Sequence, residues 1–188
     1  SYNKTMRPSY VMFADGFEEI EAMTIVDVLR RAEMPVVTMS IYETPEAIGA
    51  HGVTVVADEM FNPEIMEDAE WIILPGGMPG ASNLAGCEDL CELLQEQNAK
   101  GEKIAAICAS PSIVFGPLGL LEGREATCYP GMEDGMKGAI SMNSFVAVDG
   151  NIVTGSSPAA AADFALTIAS ISMGEDVAER VAGDMLLK

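Results

Sequence analysis

Apolar residues follow two rhythms along the chain. Short apolar or β-branched runs occupy residues 10–14, 35–42, 53–57, 71–74 and 103–107. Between them, at residues 17–32 and 88–98, apolar positions recur at helical spacing. An apolar run too short for a helix reads as a strand buried on both faces, and the helical spacing reads as an amphipathic helix lying on the sheet. Asp15-Gly16 turns the first strand into the first helix. Glu18, Glu19 and Glu21 stand at that helix's start and Arg30-Arg31 at its end, as the macrodipole favours. The 53–57 strand pairs with residues around Ile48, and Pro75-Gly76-Gly77 stops the 71–74 run. Residues 145–148 and 151–154 flank Asp149-Gly150, a hairpin signal, and helices over 159–173 and 175–187 close the chain. The alternation predicts an α/β sandwich with a mostly parallel sheet between two helical layers. No repeat or linker divides residues 1–188, so one domain is expected.

Composition narrows the function classes. The 188 residues suffice for one sizeable core. Ten basic against 29 acidic residues give a net charge of −19, which repels nucleic acid and anionic membranes and suits a soluble cytoplasmic protein. No run approaches the ~18 apolar residues of a membrane span, and SYNKTMRPSY has no apolar signal-peptide core. Four cysteines, without a CxxC pair or a Cys/His cluster, argue neither for a disulfide framework nor for a metal. The 13 methionines form no cofactor motif, and no cofactor is expected.

The chemistry gathers where strands end. Ligands in open α/β sheets sit beyond the carboxyl ends of the strands. Asp15-Gly16, Pro75-Gly76-Gly77 and Cys108-Ala109-Ser110 all fall there. In KIAAICASPSIVF, residues 103–115, a strand ends abruptly in a thiol. A residue between a strand and a helix N-terminus occupies a sharp turn and points into the crevice. The dipole and free N–H groups there are expected to lower the Cys108 pKa from about 8.5 into the range ~3.5–7.5. Gly76 and Gly77 are placed to offer N–H groups to an oxyanion. The bland alternative makes Cys108 a small buried apolar residue; its corner position favours the reactive reading. Cys87 and Cys91 continue an apolar stripe with Leu84 and Leu94. Cys128 ends a strand near the same crevice, as a core residue or a resolving thiol. Glu133-Asp134 reads as a solvated acidic loop.

AAICASP after a strand, LPGG before it, DGFEEIEA after the first strand and ADFALTIAS near the C-terminus resemble the ThiJ/PfpI superfamily. The match is to its parkinsonism-associated deglycase and YajL-like branch, from Tyr10 to the end. The resemblance implies a flavodoxin-like sandwich and a homodimer contacting through the first helix. It implies that Cys108 is the reactive cysteine and Glu21 the acid touching its sulfur, with Gly76, Gly77 and Ala109 lining the pocket through their backbones. Two positions depart from the superfamily. Its protease branch has a histidine directly after the cysteine, where Ala109 stands here. Its deglycase branch often has one where ATCYPG offers Tyr129. The one histidine, His51, lies in a glycine-rich stretch before a strand and reads as a surface loop residue. With no Cys–His dyad, Glu21 is the nearby proton carrier and Tyr129 the second candidate. A thiolate beside a carboxylate holds one shared proton, which places it on Glu21 with a raised pKa. Three functions follow, taking a small-molecule substrate or an oxidant: a cysteine enzyme of small reactive carbonyls in the glyoxalase or deglycase manner, a redox sensor or stress chaperone, and third a protease-like hydrolase.

Overall fold

The computed structural model describes residues 6–187. In chain order the elements are β1 (Ser9–Phe13), α1 (Glu19–Arg31), β2 (Val36–Ser40), β3 (Glu46–Ile48), β4 (Thr54–Val56), β5 (Glu59–Met60), β6 (Trp71–Leu74), α2 (Gly80–Ala85), α3 (Glu88–Ala99) and β7 (Lys103–Ile107). Then come β8 (Glu125–Ala126), β9 (Ile140–Ser141), β10 (Val146–Asp149), β11 (Ile152–Gly155), α4 (Ala161–Met173) and α5 (Glu175–Asp184). A seven-stranded sheet runs in the order β10-β11-β7-β6-β1-β2-β5. Every pairing within it is parallel except the β10–β11 hairpin, where Asp149 faces Ile152.

The apolar runs are explained by the pleat, which sends alternate side chains to opposite faces. Val11 and Phe13 of β1 join Ile73, Ile107 and Val153 against α1 and α4, with Val181 of α5 at the edge. Tyr10 and Met12 join Ile72, Leu74 and Ile104 against Leu90 and Leu94 of α3 and Phe115. Both faces are buried, so the strands are mostly apolar with only small hydroxyl residues such as Ser9, Ser40 and Thr154 among them, and each large side chain buried there contributes about 1.5–3 kcal/mol. This is the flavodoxin-like three-layer sandwich expected from the sequence. At the amino ends of the strands Glu70 ties the layers together, accepting from Arg7 at 2.6 Å, from Lys103 at 3.2 Å and from Ser172 at 3.0 Å. No helix among the described residues is long and apolar enough to cross a membrane.

Several expectations need correction. The 53–57 strand does pair near Ile48, with Ile48 opposite Thr54, but the β3–β4 hairpin stands apart from the main sheet. The last helix stops at Asp184. The elements α2, β5, β8 and β9, of two to six residues, carry no period to read. The largest difference follows Cys108, where the helix expected to aim its dipole at the sulfur is only a five-residue π-turn, Pro111–Phe115.

Candidate active site at the Cys108 corner

Strand β7 delivers the chain to Cys108, whose φ of 65° lies in the left-handed region that side chains rarely adopt. The neighbouring segments hold it there. Cys108 N–H donates to Gly155 O at 2.9 Å, and Tyr129 N–H donates to Cys108 O at 2.9 Å. Ser110 Oγ donates to Pro75 O at 2.6 Å and ties this corner to the next. That second corner approaches so closely that a Cβ on Gly76 would lie 2.5 Å from Cys108 Cβ and 2.7 Å from Glu21 Oε1. Only glycine fits there. Gly77 turns the chain away at φ 94°.

The third corner supplies the acid. Glu18 caps α1, accepting Glu21 N–H on its side chain at 2.7 Å. Glu21 follows in the first turn, fully buried. Its Oε1 accepts Gly76 N–H at 2.9 Å, and its Oε2 has no hydrogen-bond partner. The carboxyl lies beside the Cys108 sulfur, close enough for each to perturb the other's proton.

Burial pushes the Glu21 carboxyl up to about 7; the charge of Glu18 adds to this, while the Cys108 thiol and the Gly76 N–H oppose it. Burial also pushes the Cys108 thiol above its ordinary value, and the adjacent Glu21 carboxyl adds to this, with the N–H groups of Ala109 and Gly77 pulling back. The raised carboxyl agrees with the sequence reading; the expected acidic thiol does not survive. A π-turn is too short to supply much dipole, Cys108 is 8% exposed, and its nearest ionisable neighbour is an acid. Burial thus holds both groups above their ordinary values, and the pair shares one proton between carboxyl and sulfur.

The remaining candidates fall into place around this pair. Gly77 and Ala109 turn N–H groups toward the sulfur, whereas the Gly76 N–H is committed to Glu21. Tyr129 reaches the site through its backbone; its ring is exposed over an adjoining groove that Cys128 also lines. Burial, with Glu133, pushes the Cys128 thiol up to about 11. Cys128 packs in the opposite apolar layer from Cys108. His51 is exposed, as a surface loop residue should be, yet it is not idle. Its Nδ1 lies 2.9 Å from Glu19 Oε1, and the His51 N–H donates to Glu19 Oε2 at 2.8 Å. Sequence separation hid that pairing. Glu18, Glu19 and His51 form the one trio of metal-ligating side chains among the described residues. Their hydrogen bonds to one another and to backbone N–H groups account for the arrangement.

The sequence pattern of the DJ-1/PfpI family matches residues 9–171. Protein DJ-1 homolog B of Arabidopsis thaliana is 36% identical over 176 residues, covering 93% of this chain but 40% of that protein, so the chain spans less than half of that relative's length. A deglycase of Pyrococcus abyssi is 30% identical over 150 residues, 79% of this chain and 89% of its own. Oxidised DJ-1 of Toxoplasma gondii superposes with a TM-score of 0.90 at 36% identity, covering 96% of this chain and 98% of that one.

Proposed function

The chain belongs to the DJ-1/PfpI family, and from that premise we propose that it is a cysteine-dependent enzyme of small reactive carbonyls, glyoxalase-like or deglycase-like, with Cys108 as nucleophile and Glu21 as its proton partner. The observation that carries this reading is the buried Glu21 carboxyl, its free oxygen unpartnered, set beside a sulfur on a strand-end elbow. A relative in the same family is a deglycase.

A carboxyl that titrates near 7 is matched to work as a general base at neutral pH. As the sulfur attacks an aldehyde carbon, the S–C bond forms and the thiol proton passes to ionised Glu21. The carbonyl π pair moves onto oxygen, which takes that proton to give a hemithioacetal. The Gly77 and Ala109 N–H groups stabilise the charge gathering on sulfur, and Gly76 aims the carboxyl. With methylglyoxal, proton transfer from C1 to C2 through Glu21 converts the hemithioacetal into a lactate thioester. Water then releases lactate and restores the thiol, so neither oxidant nor reductant is consumed.

A second reading rests on the same bare oxygen. Peroxide oxidation of Cys108 as far as a sulfinate would place acceptor oxygens against protonated Glu21, as a redox sensor requires. A protease role has less support, since His51 pairs with Glu19 rather than Cys108. The proposal includes a cytoplasmic setting, which the strong net negative charge suits. It also includes a homodimer through α1, where Ile20 and Met23 are exposed near Val53 and Val56 of the β3–β4 hairpin.

Lactate formation from methylglyoxal tests the main reading. Cys108→Ser is expected to abolish turnover, and Glu21→Gln to lower kcat by ~10²–10⁴-fold. Equal turnover by wild type and Cys108→Ser would remove the cysteine mechanism.

A further inference from the structure

Beside the Cys108 corner lies a groove of about 570 Å³, within the usual range of about 300–1,000 Å³ for small-molecule sites. Two of its wall segments are the ones that clasp the Cys108 peptide: Tyr129 donates to the Cys108 carbonyl, and Ser156 follows the Gly155 carbonyl that accepts from Cys108. Strands paired in this way lie about 4.8 Å apart, so the groove begins roughly one residue's breadth from the elbow.

The lining has a particular chemistry. The rings of Tyr129 and Phe145 are 47% and 52% exposed, although both are large and aromatic. Between them the groove is mainly apolar, with Pro130 and Met142 on its wall, and carries the neutral polar side chains of Asn143, Ser156 and Ser157. Ser156 is 7% exposed, and its hydroxyl meets that of Ser157 at 3.1 Å, a pair that needs a further partner to use all its donors and acceptors. The single charged side chain on the lining is Glu133, whose carboxylate is held by the Gly131 N–H at 2.9 and 3.0 Å. Exposed ring faces pack against C–H surfaces, neutral hydroxyl and amide groups exchange hydrogen bonds with other hydroxyls, and a fixed carboxylate repels phosphate.

We infer that this groove receives the uncharged polyol tail of a sugar-sized carbonyl compound whose reactive end lies at Cys108. This rests on the carbonyl reading above and names its substrate class: neutral, hydroxyl-bearing 2-oxoaldehydes of about six carbons, in preference to three-carbon ones and to phosphorylated sugars. A three-carbon dicarbonyl has no tail to place in the groove.

Two measurements test the assignment separately from the chemistry. The first compares kcat/KM for 3-deoxyglucosone, a neutral six-carbon 2-oxoaldehyde, with that for methylglyoxal. Wild type is expected to favour the six-carbon substrate by roughly tenfold or more, tenfold being the least that one added group gains in a fitted pocket. Phe145→Ala and Asn143→Ala should bring the ratio toward one, and Phe145→Tyr, which keeps the ring, should preserve it. A wild-type ratio near one, or a ratio that the alanine variants leave unmoved, overturns the groove while the carbonyl reading stands. The second titrates 3-deoxyglucosone into Cys108→Ser protein and follows amide NMR shifts. Shifts concentrated at residues 141–145 and 156–157 support the groove even if the wild type turns over neither compound, an outcome that removes only the carbonyl chemistry. Shifts scattered elsewhere, or none, overturn it.

Discussion

Glu19 and Glu21 stand on the same turn of α1 with the same carboxyl group, and the fold gives them opposite characters. Burial alone would raise Glu19, but His51 and the backbone N–H groups around it outweigh burial and hold it below the usual range. Its two oxygens receive the His51 ring nitrogen and the N–H groups of His51 and Val53. Glu21, at the dry end of the same turn, receives one N–H, leaves an oxygen bare and titrates near 7. The number of donors reaching each carboxyl, set against its burial, makes one an anchor for a surface loop and the other a proton carrier beside a thiol.

The sharpest way to break this contrast is to remove the titration of Glu21. Its folded pKa lies above its unfolded one, so the stabilisation it contributes is fully present below about pH 4.5 and is lost as pH rises through 7. Protein with Glu21→Gln should therefore match wild type near pH 4.5 and exceed it above pH 8 by on the order of 3 kcal/mol in urea unfolding. A difference that does not grow with pH would mean that Glu21 is not buried as a neutral acid. Next in size is the glycine beside each carboxyl. A Cβ on Gly76 meets the Ile107 carbonyl at 2.8 Å as well as Cys108 Cβ, whereas the nearest atoms to one on Gly49 all belong to the Glu19 side chain, which can rotate where backbone cannot. Gly76→Ala should cost about 1–3 kcal/mol or more, and Gly49→Ala clearly less, read as the difference between their Tm values. The smallest effect belongs to Glu19. It raises the pKa of His51, the only histidine in the chain, so Glu19→Gln should return that titration toward the ordinary value of about 6.5. One imidazole NMR signal followed against pH checks it.

Much of the fold was legible because both faces of the main sheet are buried, leaving short, largely apolar runs at β1, β2, β6 and β7. The Cys108 elbow was legible because a strand ending in small residues and proline has few other uses. The protonation of the site was not. It depends on how deeply the sulfur sits and on a helix that shrank to one π-turn, and neither leaves a mark in the order of residues. The Gly76 N–H was expected to face an oxyanion, but Glu21 takes it, and that competition exists only once β6 and α1 are side by side. Glu19 and His51 are 32 residues apart, joined by a hairpin whose position beside α1 the apolar pattern does not encode.

The sheet also divides the sulfurs. Cys108 packs in the layer of α1 and α4, while Cys128 and Cys87 belong to the layer of α3. A disulfide from Cys108 to either of them must therefore close around the strand end rather than through the sheet. A thiol arriving from solution meets a sulfenic acid at that atom without crossing any layer, and where none arrives further oxidant makes the change permanent.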